Sequence, residues 1–239
     1  MTKVTPYNNL ETKKKQVTKM FDNIAGSYDF LNHTLSLGMD NIWRKIAIKE
    51  LSNKPSTILD IATGTADFAI SASKYTNATI TGIDISQGML DVGVEKITKK
   101  GLTNRIQLQL ADSENLPFQD NSYDAITAGF GVRNFEDLNK GLSEMYRTLK
   151  SGGKVAILEP SEPTNFPLKQ FYNLYFHHIL PFIGGIVSKD KNAYTYLPDS
   201  VSAFPSGKDF LTELDKVGFK ESKHIPLTFG IVSLYIAIK

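Results

Sequence analysis

Along the middle of the chain, short continuous apolar runs alternate with stretches whose apolar residues recur every three or four positions. Thr57 to Ile61 reads as a buried strand, followed by a helix over Ala66 to Lys74. Thr79 to Asp84 predicts a second strand, and Gln87 to Lys99 a second helix ending at Gly101. Arg105 to Leu110, Tyr123 to Ala128 and Lys154 to Glu159 predict three more strands. A helix over Leu138 to Leu149, stopped by Gly152-Gly153, precedes the last of them. Continuous apolar strands separated by helices argue for a parallel sheet covered on both faces. Right-handed crossovers wind such a sheet doubly.

The C-terminal part has a different rhythm. Phe166 to Val187 is an apolar helical region, Lys208 to Val217 a short helix, and Phe219 to Ile225 and Ile231 to Ile238 are strands around the turn Pro226 to Gly230. That spacing permits an antiparallel hairpin at the sheet edge. The first fifty residues read as a helical cap. The expected fold class is α/β, a doubly wound, mostly parallel seven-stranded sheet with an antiparallel edge hairpin. It is expected as a single domain over 1–239, with the cap over 1–52, a ligand-binding core over 53–160 and substrate-side elements over 161–239.

Composition narrows the function classes. A net charge of +2 and a pI of 8.5 lack the clustered basic face of a nucleic-acid binder. The run Lys13-Lys14-Lys15 reads as a solvated helix start. Without cysteine there are no disulfides, no thiolate catalysis and no cysteine-ligated zinc. That fits a cytoplasmic protein, as does a segment from Met1 to Leu10 with none of the apolar character of a signal peptide. Phe166 to Val187 holds Lys169, Gln170, Asn173, His177, His178 and Pro181, too polar a set for a transmembrane helix.

In doubly wound sheets, ligands sit beyond the carboxyl ends of the strands. Asp60, Asp84, Asp112 and Glu159 all fall at or just after predicted strand ends. The turn after the first strand, Asp60-Ile61-Ala62-Thr63-Gly64-Thr65, carries a glycine that lets backbone approach a ligand. Asp84, twenty residues after Gly64, stands where an acidic side chain commonly binds ribose hydroxyls. The full G-x-G-x-x-G pattern is absent, so a pyrophosphate would find little room. A phosphate-free adenosine ligand such as S-adenosylmethionine suits the loop better than NAD. Asp112-Ser113 would meet the adenine edge, and Ile85, Met89 and Gly129 complete the expected cofactor rim. Read blandly, the first turn is an ordinary strand–helix turn with Thr65 as N-cap.

The segments Asp60 to Asp67, Asp84, Asp112-Ser113-Glu114, Leu116-Pro117-Phe118 and Leu149 to Gly153 resemble class I S-adenosylmethionine methyltransferases. Tyr28-Asp29-Phe30-Leu31-Asn32 with Leu35-Ser36 and Trp43 resembles the N-terminal signature of the quinone-biosynthesis C-methyltransferases. Gly129 to Asn134, Arg147 to Gly153 with Glu159-Pro160-Ser161, and Tyr194 to Leu197 also resemble segments of that family, from about residue 14 to the C-terminus. The chain departs from it at Leu31 (usually Met), Asp40 (usually His), Thr148 (usually Val) and Ser151 (usually Pro).

The resemblance implies an S-adenosylmethionine-dependent methyl transfer to a ring carbon of a prenylated quinol, most simply 2-demethylmenaquinol. The alternatives are a ubiquinone precursor, O- or N-methylation of another small molecule, or a cofactor-binding module without turnover. No metal or nucleic acid is called for. Peripheral contact with the inner face of the membrane and a homodimer are compatible with the reading. Ionising the phenol pushes electron density onto the ring carbon, and a phenol has a pKa near 10, so the site must favour phenolate. Arg133, a guanidinium and therefore a poor base, is the candidate for electrostatic stabilisation, and Asn134 for orienting the ring oxygen. Tyr28 and Asp29 could close over the substrate, or be core packing and a helix cap. Trp43 reads as core. His33, His177, His178 and His224 show no metal-ligand spacing, and His177-His178 reads as a polar helix face. The Phe166–Val187 segment is either a buried helix or a groove for the prenyl tail.

Overall fold

The computed structural model describes residues 4–7, 9–51, 54–163, 165–174 and 192–239. The strands are β1 (Thr57–Ile61), β2 (Thr79–Asp84), β3 (Ile106–Leu110), β4 (Tyr123–Gly129), β5 (Leu149–Pro160), β6 (Lys220–Leu227) and β7 (Val232–Ile238). They form one sheet in the order β3-β2-β1-β4-β5-β7-β6. The first five are parallel, and β7 pairs antiparallel with both β5 and β6. The C-terminal hairpin thus sits at the edge, as the turn spacing predicts, with its second strand inserted against β5.

Helices α1 (Lys13–Leu35) and α2 (Met39–Glu50) precede the sheet. Then come α3 (Asp67–Tyr75), α4 (Gln87–Lys99), α5 (Leu138–Thr148), α6 (Leu168–Leu174), α7 (Asn192–Ala203) and α8 (Lys208–Lys216). Strand residues alternate between two cores. Ile58, Ile80, Ala125, Ala156 and Leu234 pack with Trp43, Ala47 and Ile48 of α2 and Phe68 and Ile70 of α3. Leu59, Ile83, Ile126, Ile157 and Tyr235 pack with Leu142 and Met145 of α5 and Phe210 and Leu214 of α8. This two-faced burial explains why the central strands read as unbroken apolar runs. Trp43 is core, and its indole Nε1–H donates to Thr228 Oγ1 at 2.8 Å.

The predicted helix stop at Gly152-Gly153 is corrected. Leu149 already has extended backbone, and β5 begins there. Its pairing with β4 steps from Tyr123↔Leu149 to Ala125↔Lys154, so Lys150 to Gly153 form a bulge. Gly152, at φ 74°, supplies the left-handed residue of that bulge. Of the Phe166–Val187 segment, residues 166–174 are described, α6 included; His177, His178 and the rest of it lie outside the described residues. Among the described residues, no helix is long and apolar enough to cross a membrane.

Candidate active site

The turn after β1 rests on buried polar contacts. Ala62, Gly64 and Ala66 all have positive φ, at 50°, 56° and 66°, a region that costs a non-glycine residue on the order of 1 kcal/mol or more. Asp60 holds this turn from beneath. Its Oδ2 accepts from Thr63 Oγ1 at 2.5 Å, and its Oδ1 from Thr127 Oγ1 of β4 at 2.6 Å. Asp84 holds it from the side, with Oδ2 accepting from the Gly64 N–H and Oδ1 from the Ser86 N–H, each at 2.9 Å. Burial pushes the Asp60 carboxyl up to about 6 and also raises that of Asp84, against the hydrogen bonds each accepts.

An open cleft, about 620 Å³ including the space at its solvent mouth, lies above this turn. Of the residues the sequence singled out, Ala62, Gly64, Asp84, Ile85, Met89, Asp112, Ser113 and Gly129 line it, together with Tyr28 and Asn134. Asp60, Thr65, Asp29 and Arg133 are not among its lining residues, for different reasons. Asp60 is 1% exposed and spent on the two threonines. Thr65 does not cap α3, whose N-cap is Ala66 without a side-chain bond. Its hydroxyl donates instead to Asp29 Oδ1 at 2.5 Å. Asp29 is no helix cap either; it lies within α1 and takes Lys96 Nζ at 2.6 Å.

Arg133 sits in the single 3₁₀ turn Val132–Asn134 that follows β4. Its side chain is 8% exposed and pairs with Glu159 Oε2 at 3.0 Å. It also donates to the Phe130 carbonyl, and through Nε to Ser200 Oγ at 3.3 Å. Glu159 Oε1 accepts from the Val132 N–H at 2.6 Å, so one buried carboxylate shapes the turn and anchors the guanidinium. Burial raises the Glu159 carboxyl, with Arg133 opposing. The next residue, Asn134, does reach the cavity. Its Oδ1 accepts from Tyr196 Oη at 3.0 Å, while its buried Nδ2 has no hydrogen-bond partner among the described residues.

Of α1, sequence reasoning found Tyr28 but missed its neighbours on the same face: Lys14, Val17 and Phe21 line the cavity with it. They are spaced three, four and seven residues apart, which is one face of a helix, so helical periodicity was the signal that could have found them. Lys13 and Lys14 are not a solvated helix start. Lys13 Nζ donates to the carbonyls of Arg133 and Phe135 at 2.9 and 3.0 Å. Lys14 Nζ meets Asp112 Oδ2 at 2.7 Å and Glu114 Oε2 at 3.1 Å. Burial lowers the Lys14 pKa, but those two carboxylates outweigh it and the net shift is upward. Further along, Asp22 Oδ1 accepts from Ser86 Oγ at 2.6 Å and the Gly88 N–H at 3.0 Å. Helix α1 therefore lies across the strand ends and roofs the cavity.

His33, Asp40 and Asp67 do converge, with His33 Nδ1 2.9 Å from Asp40 and Nε2 3.6 Å from Asp67. Arg44 pairs with both carboxylates and Lys96 with Asp67, so the cluster is an ion-pair network with its countercharges supplied by the protein.

The cavity lining carries the carboxylates of Asp84, Asp112, Glu114 and Glu136 against one lysine, which suits a cationic ligand and repels a phosphate. A family model described as the ubiE/COQ5 methyltransferase family matches residues 9–239. A demethylmenaquinone methyltransferase of Bacteroides fragilis is 50% identical over 239 residues, 99% of this chain and 98% of the relative. The ubiquinone/menaquinone biosynthesis C-methyltransferase UbiE of Geotalea daltonii is 46% identical, covering 96% of this chain and 99% of the relative. Among solved structures, the [4+2]-cyclase SpnF aligns with a TM-score of 0.66 at 16% identity, over 96% of this chain and 97% of that one. A phosphoethanolamine N-methyltransferase of Haemonchus contortus, in complex with S-adenosyl-L-methionine, aligns with a TM-score of 0.60 at 19% identity, over 82% of this chain and 52% of that one. These last two likenesses are of fold.

Proposed function

The chain belongs to the ubiE/COQ5 methyltransferase family, and from that premise we propose that it transfers a methyl group from S-adenosylmethionine to a ring carbon of a prenylated quinol, with 2-demethylmenaquinol as acceptor. The observation that carries this reading is one cavity lined both by the strand-end carboxylates Asp84 and Asp112 and by Asn134, whose amide nitrogen has no hydrogen-bond partner among the described residues.

The lining fits the cofactor. Asp84 stands at the end of β2 with both carboxylate oxygens retaining acceptor capacity for ribose hydroxyls. Ile85 and Met89 offer an apolar wall for a base, and Asp112 with Ser113 a polar edge. The close approach of Gly131 to Ala62, where an added Cβ would stand 2.5 Å from the Ala62 Cβ, keeps the two ligand-facing turns together. When bound, the cofactor supplies a methyl group on a positively charged sulfur.

The residues of the chain then have three tasks. Tyr28 and Phe21, in edge contact at 6.0 Å between ring centroids, roof the cavity and limit water. Asn134 donates Nδ2–H to the ring oxygen whose ionisation activates the neighbouring carbon. Arg133 acts by charge from behind the turn: it is buried, permanently cationic and held by Glu159, so its field favours phenolate without accepting a proton. Fixed donors and charges of this kind are worth most where water is excluded. We also infer that the protein works at a membrane surface. Support comes from exposed Phe30 and Leu37 near the α1–α2 corner and exposed Phe229 in the β6–β7 turn, which Trp43 ties to α2 through Thr228.

The test is methyl transfer from labelled S-adenosylmethionine to reduced demethylmenaquinone and, separately, to a demethylated ubiquinone precursor, with products read by mass spectrometry. Ring methylation of the first acceptor is expected. Preference for the second would move the substrate assignment. Cofactor binding without product on either would overturn the activity.

A further inference from the structure

The two ends of the Asn134 amide are chemically opposite, one accepting and one donating. Which end faces the cavity decides what the site can do to a ring oxygen. Tyr196 of α7 is 4% exposed, and its hydroxyl lies 3.0 Å from Asn134 Oδ1. Asn134 itself is 7% exposed. Its Nδ2 has no hydrogen-bond partner among the described residues, although the residue lines the cavity. A buried donor left unpaired forfeits its hydration with nothing in return, so such a group persists where a ligand atom satisfies it.

We propose that Tyr196 is a positioning residue for methyl transfer: by donating to Asn134 Oδ1 it fixes the amide so that Nδ2–H, and not the carbonyl oxygen, points at the ionising oxygen of the acceptor ring. The inference rests on the reading of the site as one that methylates a phenolic ring. Three features support it. The Tyr196 phenol is protonated at neutral pH as an ordinary tyrosine is, and burial pushes it further up, to about 12, with Arg133 opposing, so it has a proton to give. Asn134 Oδ1 is the acceptor of that proton, and turning the amide over would break that hydrogen bond by setting an N–H donor against the hydroxyl's own. Finally, Tyr196 packs in the same apolar cluster as Val17, Met20 and Ile24 of α1 and Met89 of α4. Its ring is thus held by the roof of the cavity, and closure of the roof and orientation of the amide are set by one side chain.

A donor aimed at an oxygen that gains negative charge bonds it more tightly in the transition state than in the ground state, so its loss falls on kcat. Tyr196→Phe keeps the packing and removes only the hydroxyl. We expect it to lower kcat about tenfold, to change the acceptor KM by less than twofold, and to leave S-adenosylhomocysteine affinity unchanged. Because the hydroxyl acts through Asn134, adding Tyr196→Phe to Asn134→Ala should cost nothing further. Asn134→Asp should be less active than Asn134→Ala, since a carboxylate oxygen would then face the phenolate. Three results would each overturn the proposal in an enzyme whose wild type is active: Tyr196→Phe with a wild-type kcat, full additivity with Asn134→Ala, or Asn134→Asp outperforming Asn134→Ala. A wild-type protein that binds cofactor but methylates neither quinol would instead overturn the reading of the site, and the proposal with it.

Discussion

Replacing Asp60 by Asn should stabilise the cofactor-free protein, and by an amount that grows with pH. Asp60 is fully enclosed beneath the first turn, and burial lifts its carboxyl from 3.8 to about 6. Between these values the folded state holds the proton while the unfolded chain releases it, so folding stability falls as pH rises from about 4 to about 6 and stays lowered above that. The full cost of ionising the group in place is roughly 3 kcal/mol, and about half of it is already felt near pH 5. Asn fits the same space, and the hydroxyls of Thr63 and Thr127, which now donate to the carboxylate, can each rotate to donate or accept. Urea unfolding of both proteins without cofactor at pH 5, 6.5 and 8 measures the difference. The stability gap should widen from about 1.5 to about 3 kcal/mol between the first and last conditions. A gap that does not change with pH, or a variant weaker than wild type at pH 8, would refute the argument that an ionised carboxylate is being forced into an apolar interior.

Gly131→Ala should weaken cofactor binding at least about tenfold and cost roughly 1–3 kcal/mol of stability, as overpacking does, because the new Cβ would stand 2.5 Å from that of Ala62. Calorimetric titration with S-adenosylhomocysteine and a denaturant melt check both, and wild-type affinity would show that the turn at Ala62 can yield. Arg133→Met should lose about 3–5 kcal/mol near neutral pH by leaving Glu159 buried without its cation. That loss should shrink as pH falls, because Glu159, already raised by burial, then takes up a proton. Adding Glu159→Leu should restore part of the stability, and an undiminished melting temperature for Arg133→Met alone would remove the ion pair from the account of the turn.

What was legible in the sequence follows from which physical quantity each feature depends on. The central strands depend on local runs of apolar residues, and β1 and β2 fall where those runs predict. The cavity face of α1 depends on helical spacing and could have been read from Tyr28 backwards. Lys13 and Lys14 looked like a solvated run because nothing local reports that Asp112, Glu114 and the carbonyls of Arg133 and Phe135 are their partners. Asp60 and Asp84 mark the boundary most sharply. Both end an apolar run, and both fall in the same side-chain parity, Asp60 with Ile58 and Asp84 with Ile80, whose side chains share one core. On that basis they look equivalent. The sheet separates them: Asp60 pairs with Gly82, not with Asp84. Two residues of strand, roughly 7 Å, put Asp84 at the rim and leave Asp60 inside the sheet, where it can brace the turn but not line the cavity. Parity is a property of one strand and is written in its sequence. Register is a property of a pair of strands, here β1 and β2 on either side of the α3 crossover, and it decides which of two similar aspartates meets the ligand.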